Sequence, residues 1–217
     1  MSQTATREKK KTRDATPLSR EDQVAERRQS LLDAAVAVIA KKGLIGVTIR
    51  RIAAEAKCSY GVVSFHFKSK DGIIIAALDY LSDEYEQLLA RGNRTGVSPA
   101  RRLKTMIESD FDGRVANAKR IAVWVSFWAE TVRVRSYRKR CAELKARYNA
   151  SAEADVAALA KERGLTVDAA QVAHSLNAMI DGFWIANLVG DNTGQAGQLA
   201  SKEACLAYLR SVFPDDF

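Results

Sequence analysis

Helix-breaking residues are too scarce in this chain to punctuate a sheet protein: 12 glycines and 3 prolines in 217 residues. A strand architecture needs a turn every few residues, and turns draw on these two types. The long stretches between breaks are instead dominated by Ala, Leu, Glu, Lys and Arg, which favour helix. The chain is expected to be all-α. Breaks are expected near Gly43, over 92–98, near Gly113, and over 133–136, 164–166 and 190–197, and Ser98 followed by Pro99 reads as an N-cap with proline at the first helical position.

The front of the chain divides finely. A first helix is expected from Arg20 or Glu21 to Lys42, with Leu32, Val36 and Ile39 on one face and Gly43 as its C-cap. Thr48 is placed to cap a helix of about nine residues whose inner face is Ile49, Ile52, Ala53 and Ala56. Ser59 can cap a further short helix from Tyr60 to about Phe67, and "KSKDG" separates it from a long helix beginning near Lys70. Two short helices joined by a tight turn and packed on a longer one form a helix-turn-helix arrangement. Five or six further helices follow.

Charge is distributed unevenly. Residues 1–70 hold 15 Lys and Arg against 7 Asp and Glu, the whole net charge of +8, and residues 71–217 hold 19 of each. A basic, flexible arm over 1–20 accounts for +4, and +4 remains on 21–70. Such asymmetry suits a polyanion-binding front end and a balanced remainder. In that setting the second short helix enters the major groove of double-stranded DNA with its N-terminus toward base edges. Ser59 and Tyr60 offer hydroxyls there, Gly61 has no side chain to obstruct the approach, and His66, Lys68 and Lys70 offer donors. Arg50 and Arg51 lie in the first helical turn after Thr48, where the helix dipole disfavours cations by roughly 0.3–1 kcal/mol each. A nearby phosphate compensates that placement. A three-helix bundle with a merely basic surface is the plainer alternative.

The stretch "TIRRIAAEAKCSYGVVSFHFKSK" resembles the DNA-binding signature of TetR-type bacterial repressors, with Thr48, Ile52, Ala53, Ala56, Ser59, Gly61, Phe67 and Lys70 in register. It departs at Lys57, where glycine is usual, and at Ser64, where a DNA-contacting tyrosine is usual. The resemblance implies a DNA-binding domain over 21–70, with Ser64 among its candidate contacts, and a ligand-binding and dimerisation domain over 71–217. Helices near 137–163 and 167–189 match the pair such proteins use to dimerise, with Ala157, Ala158, Ala173, Leu176, Ala178 and Met179 suited to close packing. A homodimer on a palindromic operator also follows from the small footprint of one short recognition helix.

All three tryptophans fall in "VWVSFWAE" and "IDGFWIANL". Trp124, Phe127 and Trp128 share one side of a helix, and Asp181 precedes Trp184 by about one turn. Aromatic stripes at helical spacing commonly serve a core. Ring faces also attract quaternary ammonium groups, by about 0.5–2 kcal/mol. The candidate ligand-binding set is Trp124, Phe127, Trp128, Asp181 and Trp184; Asp181 is favoured as the balancing acid over Glu130, Asp110 and Asp112 because its neighbours are apolar. Within the TetR type, these segments and "SYGVVSFHF" are most similar to the choline-responsive repressors of glycine betaine synthesis. The resemblance implies a repressor released from its operator by choline or a related quaternary ammonium compound. The alternative is a TetR-type repressor of another regulon with a different hydrophobic or cationic ligand.

An enzyme is not expected. The two histidines, His66 and His174, lie far apart, and no phosphate-loop, dinucleotide, nucleophile-elbow or zinc-protease pattern occurs. Cys58, Cys141 and Cys205 suggest neither a disulfide framework nor a metal site, and no cofactor is implied. Without a membrane-length apolar run or a secretory signal, a cytoplasmic protein is expected.

Overall fold

The computed structural model describes residues 19–92 and 96–217. The expected basic arm lies outside the described residues as far as residue 18. Among the described residues there are nine helices and no strand: α1 (Arg20–Lys42), α2 (Ile49–Glu55), α3 (Tyr60–His66), α4 (Lys70–Gly92), α5 (Pro99–Asp110), α6 (Ala118–Glu130), α7 (Arg135–Arg163), α8 (Ala169–Val189) and α9 (Gln195–Val212).

Local chemistry explains most boundaries. At the start of α1 the Ser19 hydroxyl accepts from the Asp22 N–H at 3.1 Å, and the Asp22 carboxylate accepts from the Ser19 N–H at 3.2 Å, a reciprocal capping box. Gly43 closes the helix with φ 63°. The Thr48 hydroxyl accepts from the Arg51 N–H at 3.2 Å and caps α2. That helix runs seven residues rather than nine, because Ala56 is already its C-cap and Lys57 turns into the left-handed region at φ 51°. Ser98 and Pro99 start α5 as expected, the Ser98 hydroxyl accepting from the Arg101 N–H.

One continuous apolar core links the front unit to the rest. Leu31, Ala35 and Ile39 of α1, Ile52 of α2, Val63 of α3 and Ile73 of α4 are fully buried, each large side chain contributing roughly 1.5–3 kcal/mol. Helix α1 packs on α2 and α4 and also directly on α6, so the helix-turn-helix unit touches a helix of the larger bundle without an intermediary. The Tyr80 hydroxyl donates to Asp33 of α1 at 2.9 Å, and the Tyr137 hydroxyl donates to Asp71 of α4 at 2.9 Å.

Helices α7 and α8 pack on one another within the chain. Ala173 and Leu176 are consumed there as core residues, whereas Ala157 and Ala178 are exposed. No helix among the described residues is long and apolar enough to cross a membrane.

Candidate nucleic-acid interface and ligand pocket

The residues singled out around α2 and α3 divide into exposed and inward sets. Thr48, Arg50, Arg51, Ser59, Tyr60, Gly61 and Lys70 are exposed, with Arg27, Arg28, Lys57 and Lys68. The backbone of Ser59 is in N-cap geometry, yet its hydroxyl makes no cap hydrogen bond and stays available. No acidic residue occupies the first turn of α2. Arg51 relieves its own awkward position in part, because its guanidinium donates to the Gly46 carbonyl.

Ser64 departs from expectation, whereas His66 remains a donor. Ser64 turns its hydroxyl inward, where it is buried without a hydrogen-bond partner among the described residues. His66 is half-buried between the rings of Phe65 and Phe67, and burial with the nearby Arg28 and Arg27 charges holds its pKa below the ordinary imidazole value. It is therefore a neutral donor at pH 7 rather than a cation. One exposed residue escaped sequence reasoning: Phe65 of α3 is 78% exposed, an aromatic ring on the solvent side of a helix whose other face is buried Val63. Its signal was its place in the helical period opposite the apolar side.

In the larger bundle a cavity enclosing about 40 Å³ of free space lies among α4, α5, α6, α7 and α8. Trp124, Trp128, Asp181 and Trp184 line it, together with Tyr85, Asp110, Lys145 and Tyr148. The Trp124 and Trp128 rings are 6.3 Å apart and tilted by 38°, and Tyr85 meets Tyr148 edge-on at 5.2 Å. Trp184 is fixed by its indole N–H, which donates to the Asp110 carbonyl at 2.9 Å.

Phe127 corrects the expected set. It is fully buried and stacks edge-on to Tyr137 at 5.5 Å instead of lining the cavity. Position 127 lies about 100° around the helix from position 128, and at that edge of the stripe its ring packs on Tyr137.

Two of the four candidate acids are elsewhere: Asp112 is held by Arg114 at 2.8 Å, and Glu130 pairs with Arg133 at 3.3 Å. Asp110 and Asp181 both face the cavity. Burial pushes the Asp110 carboxyl up to about 7, against the opposing pull of the Tyr85 hydroxyl, which donates to it at 3.1 Å. Burial also raises Asp181, opposed by Lys145, whose ammonium hydrogen-bonds both of its oxygens. Tyr85, Tyr148 and Lys145 were missed in the sequence, since single residues on charged helices carry no periodic signal. The cavity thus brings aromatic rings, two carboxyls and one ammonium together.

Comparison with known proteins agrees with the architecture. Residues 99–214 match the family model described as BetI-type transcriptional repressor, C-terminal, and residues 31–77 match bacterial regulatory proteins, tetR family. The HTH-type transcriptional regulator BetI of Serratia proteamaculans is 31% identical over 189 residues, covering 80% of this chain and 87% of the relative. That of Paraburkholderia phytofirmans is 28% identical over 160 residues, covering 73% and 80%. Among solved structures, a transcriptional regulator from Pseudomonas aeruginosa PAO1 superposes with a TM-score of 0.76 at 23% identity, covering 88% of this chain and 92% of that one. A Saccharomonospora viridis regulator in complex with choline superposes with a TM-score of 0.74 at 23% identity, covering 86% and 96%. With a helix-turn-helix front unit, nine described helices and a BetI-type match over most of its second part, the chain belongs to the TetR family of bacterial transcriptional regulators, with a BetI-type C-terminal domain.

Proposed function

We propose that this regulator is a homodimeric repressor that binds a palindromic operator and is released from it by a quaternary ammonium compound, choline or a close relative. The observation that carries the ligand class is the convergence of Trp124, Trp128 and Trp184 with Asp181 in one cavity. Ring faces attract a poorly hydrated cation, and the carboxylate balances its charge. The choline complex of the Saccharomonospora viridis regulator supports the same ligand class. On the DNA side, Ser59, Tyr60 and Gly61 present the start of α3 to base edges, and Thr48, Arg50, Arg51, Lys68 and Lys70 serve phosphates. The Ser64 hydroxyl is buried and is left out of the proposed contacts.

The two sites are linked through packed helices. Trp124 and Trp128 are on α6, which lies directly against α1, and Tyr85 is on α4, which begins at Lys70. A cation that favours one placement of α6 therefore biases the front unit, and by linkage operator DNA must weaken the cation as much as the cation weakens DNA. Tryptophan fluorescence and calorimetric titrations with choline, glycine betaine, carnitine and unrelated cations test this reading. A selective response to one quaternary ammonium compound is expected, and equal indifference to all of them contradicts it.

A further inference from the structure

Lys145 of α7 projects into the proposed cage. Its ammonium lies 5.1 Å from the centre of the Trp128 ring and hydrogen-bonds both carboxylate oxygens of Asp181. A ring face and a carboxylate are the two partners a cationic head group requires. Here a side chain of the protein holds both. Lys145, Asp181, Trp128 and Cys141 also line a shallower groove outside the cavity, so the ion pair stands on the boundary between the two spaces. Both side chains keep about a third of their surface exposed, 35% for Lys145 and 30% for Asp181, so the pair has a route outward.

Occupancy decides between addition and replacement. The Lys145 ammonium already holds the face of Trp128 and both oxygens of Asp181, so a second cation finds neither partner free until Lys145 leaves.

We infer that Lys145 is a tethered stand-in for the ligand: it holds the cation position over Trp128 until an external cation takes Trp128 and Asp181 and displaces it into the outer groove. The inference rests on the cation-pocket reading for the identity of that external cation. One positive charge leaves as one arrives, so Asp181 keeps a counter-ion throughout and the charge of the cavity is unchanged. Affinity is then a competition against an intramolecular rival, and Lys145 sets the ligand concentration at which the regulator responds.

A plain ion pair between α7 and α8 makes different predictions from a stand-in, and Lys145→Ala separates them. The variant removes an aliphatic amine whose outer part has the composition of n-propylammonium, so that compound is the probe, with choline as the second titrant. Melting temperature and tryptophan fluorescence are read for wild type and variant. Propylammonium is expected to raise the melting temperature of Lys145→Ala and leave the wild type unmoved, and choline to bind the variant at least tenfold more tightly. No effect of propylammonium on the variant, or weaker choline binding to the variant than to the wild type, overturns the assignment. Rescue by propylammonium with choline inert on both proteins contradicts choline as the ligand; the stand-in then requires the same tenfold gain on the variant with tetramethylammonium, and its absence overturns the assignment. Should the alanine variant not fold, Lys145→Met keeps the stem and removes the charge; choline is expected to bind it several-fold more tightly than wild type, and unchanged or weaker binding overturns the assignment.

Discussion

Lys57 sits in the turn between α2 and α3 with φ 51°, a conformation that disfavours a non-glycine residue by roughly 1–2 kcal/mol. The sequence marked this position as a departure from a usual glycine, and the backbone supplies the reason glycine is usual. Lys57→Gly is expected to stabilise the fold by about 1 kcal/mol, seen as a melting temperature higher by roughly 2–4 °C. It should also weaken DNA binding and reduce its salt dependence, since one cation near the interface is lost. Gly61 presents the reverse case. A Cβ there meets only the Ser59 hydroxyl, at 3.8 Å, so the folded chain has room for alanine. Gly61→Ala should be at least as stable as wild type, because alanine gains up to about 1 kcal/mol of helix propensity, yet bind the operator at least tenfold more weakly. An undiminished affinity would remove the start of α3 from the interface. Asp110 gives the pH dependence. Its carboxyl titrates near 3.8 when unfolded and near 7 in the buried site, so the folded state binds the proton more tightly. The stability this confers is fully present below about pH 4 and is lost as pH rises through about 7. Asp110→Asn cannot ionise, and its melting temperature relative to wild type should climb between pH 4 and 7 and level off above; a difference constant with pH would contradict the assignment.

Helices α1 to α5 were legible as elements because apolar spacing and break residues agree along them; Thr48 and Ser98 cap α2 and α5 where the sequence placed them, whereas Ser59 makes no cap hydrogen bond and α2 stops about two residues short. The aromatic helix α6 was legible as an element but not in the direction of each ring. Trp124 and Trp128 reach the cavity and Phe127 enters the core beside Tyr137, a division set by which neighbour lies on either edge of the stripe. On α7, Lys145 sits within the charged run "RKRCAELKARYN", and only the packing of α7 on α8 brings it to Asp181. The difference between the tryptophans has a measurable consequence. Trp124 is buried, and Trp124→Ala should destabilise the chain by about 3–5 kcal/mol. Trp128 is only half-buried, so Trp128→Ala should fold, still form the operator complex, and lose its fluorescence and calorimetric response to choline. Loss of folding in both variants would assign the two rings to the core alone.

The whole molecule joins a basic front unit to a neutral bundle through one continuous core, an arrangement suited to passing a change at the cavity to the DNA-binding helices. Its proposed dimer has a surface available. Along α8, Ala178, Gly182, Ile185, Ala186 and Val189 form an exposed stripe of small and apolar residues, and Ala196, Ala200 and Ala207 are exposed on α9. The family resemblance pointed to the helices near 137–163 and 167–189 by position, but periodicity could not tell that Ala173 and Leu176 would be spent inside the chain. Gly182→Glu is expected to halve the mass measured by light scattering and to abolish operator binding, while leaving the helical content intact. The proposed regulation rests on antagonism between operator DNA and a cationic ligand. Its most direct measurement is the affinity of the protein for a palindromic operator, selected from random duplexes and followed by fluorescence anisotropy at fixed salt across a saturating choline titration. Choline is expected to lower operator affinity at least tenfold, and operator DNA to lower choline affinity by the same factor. Operator affinity unchanged at saturating choline would contradict it.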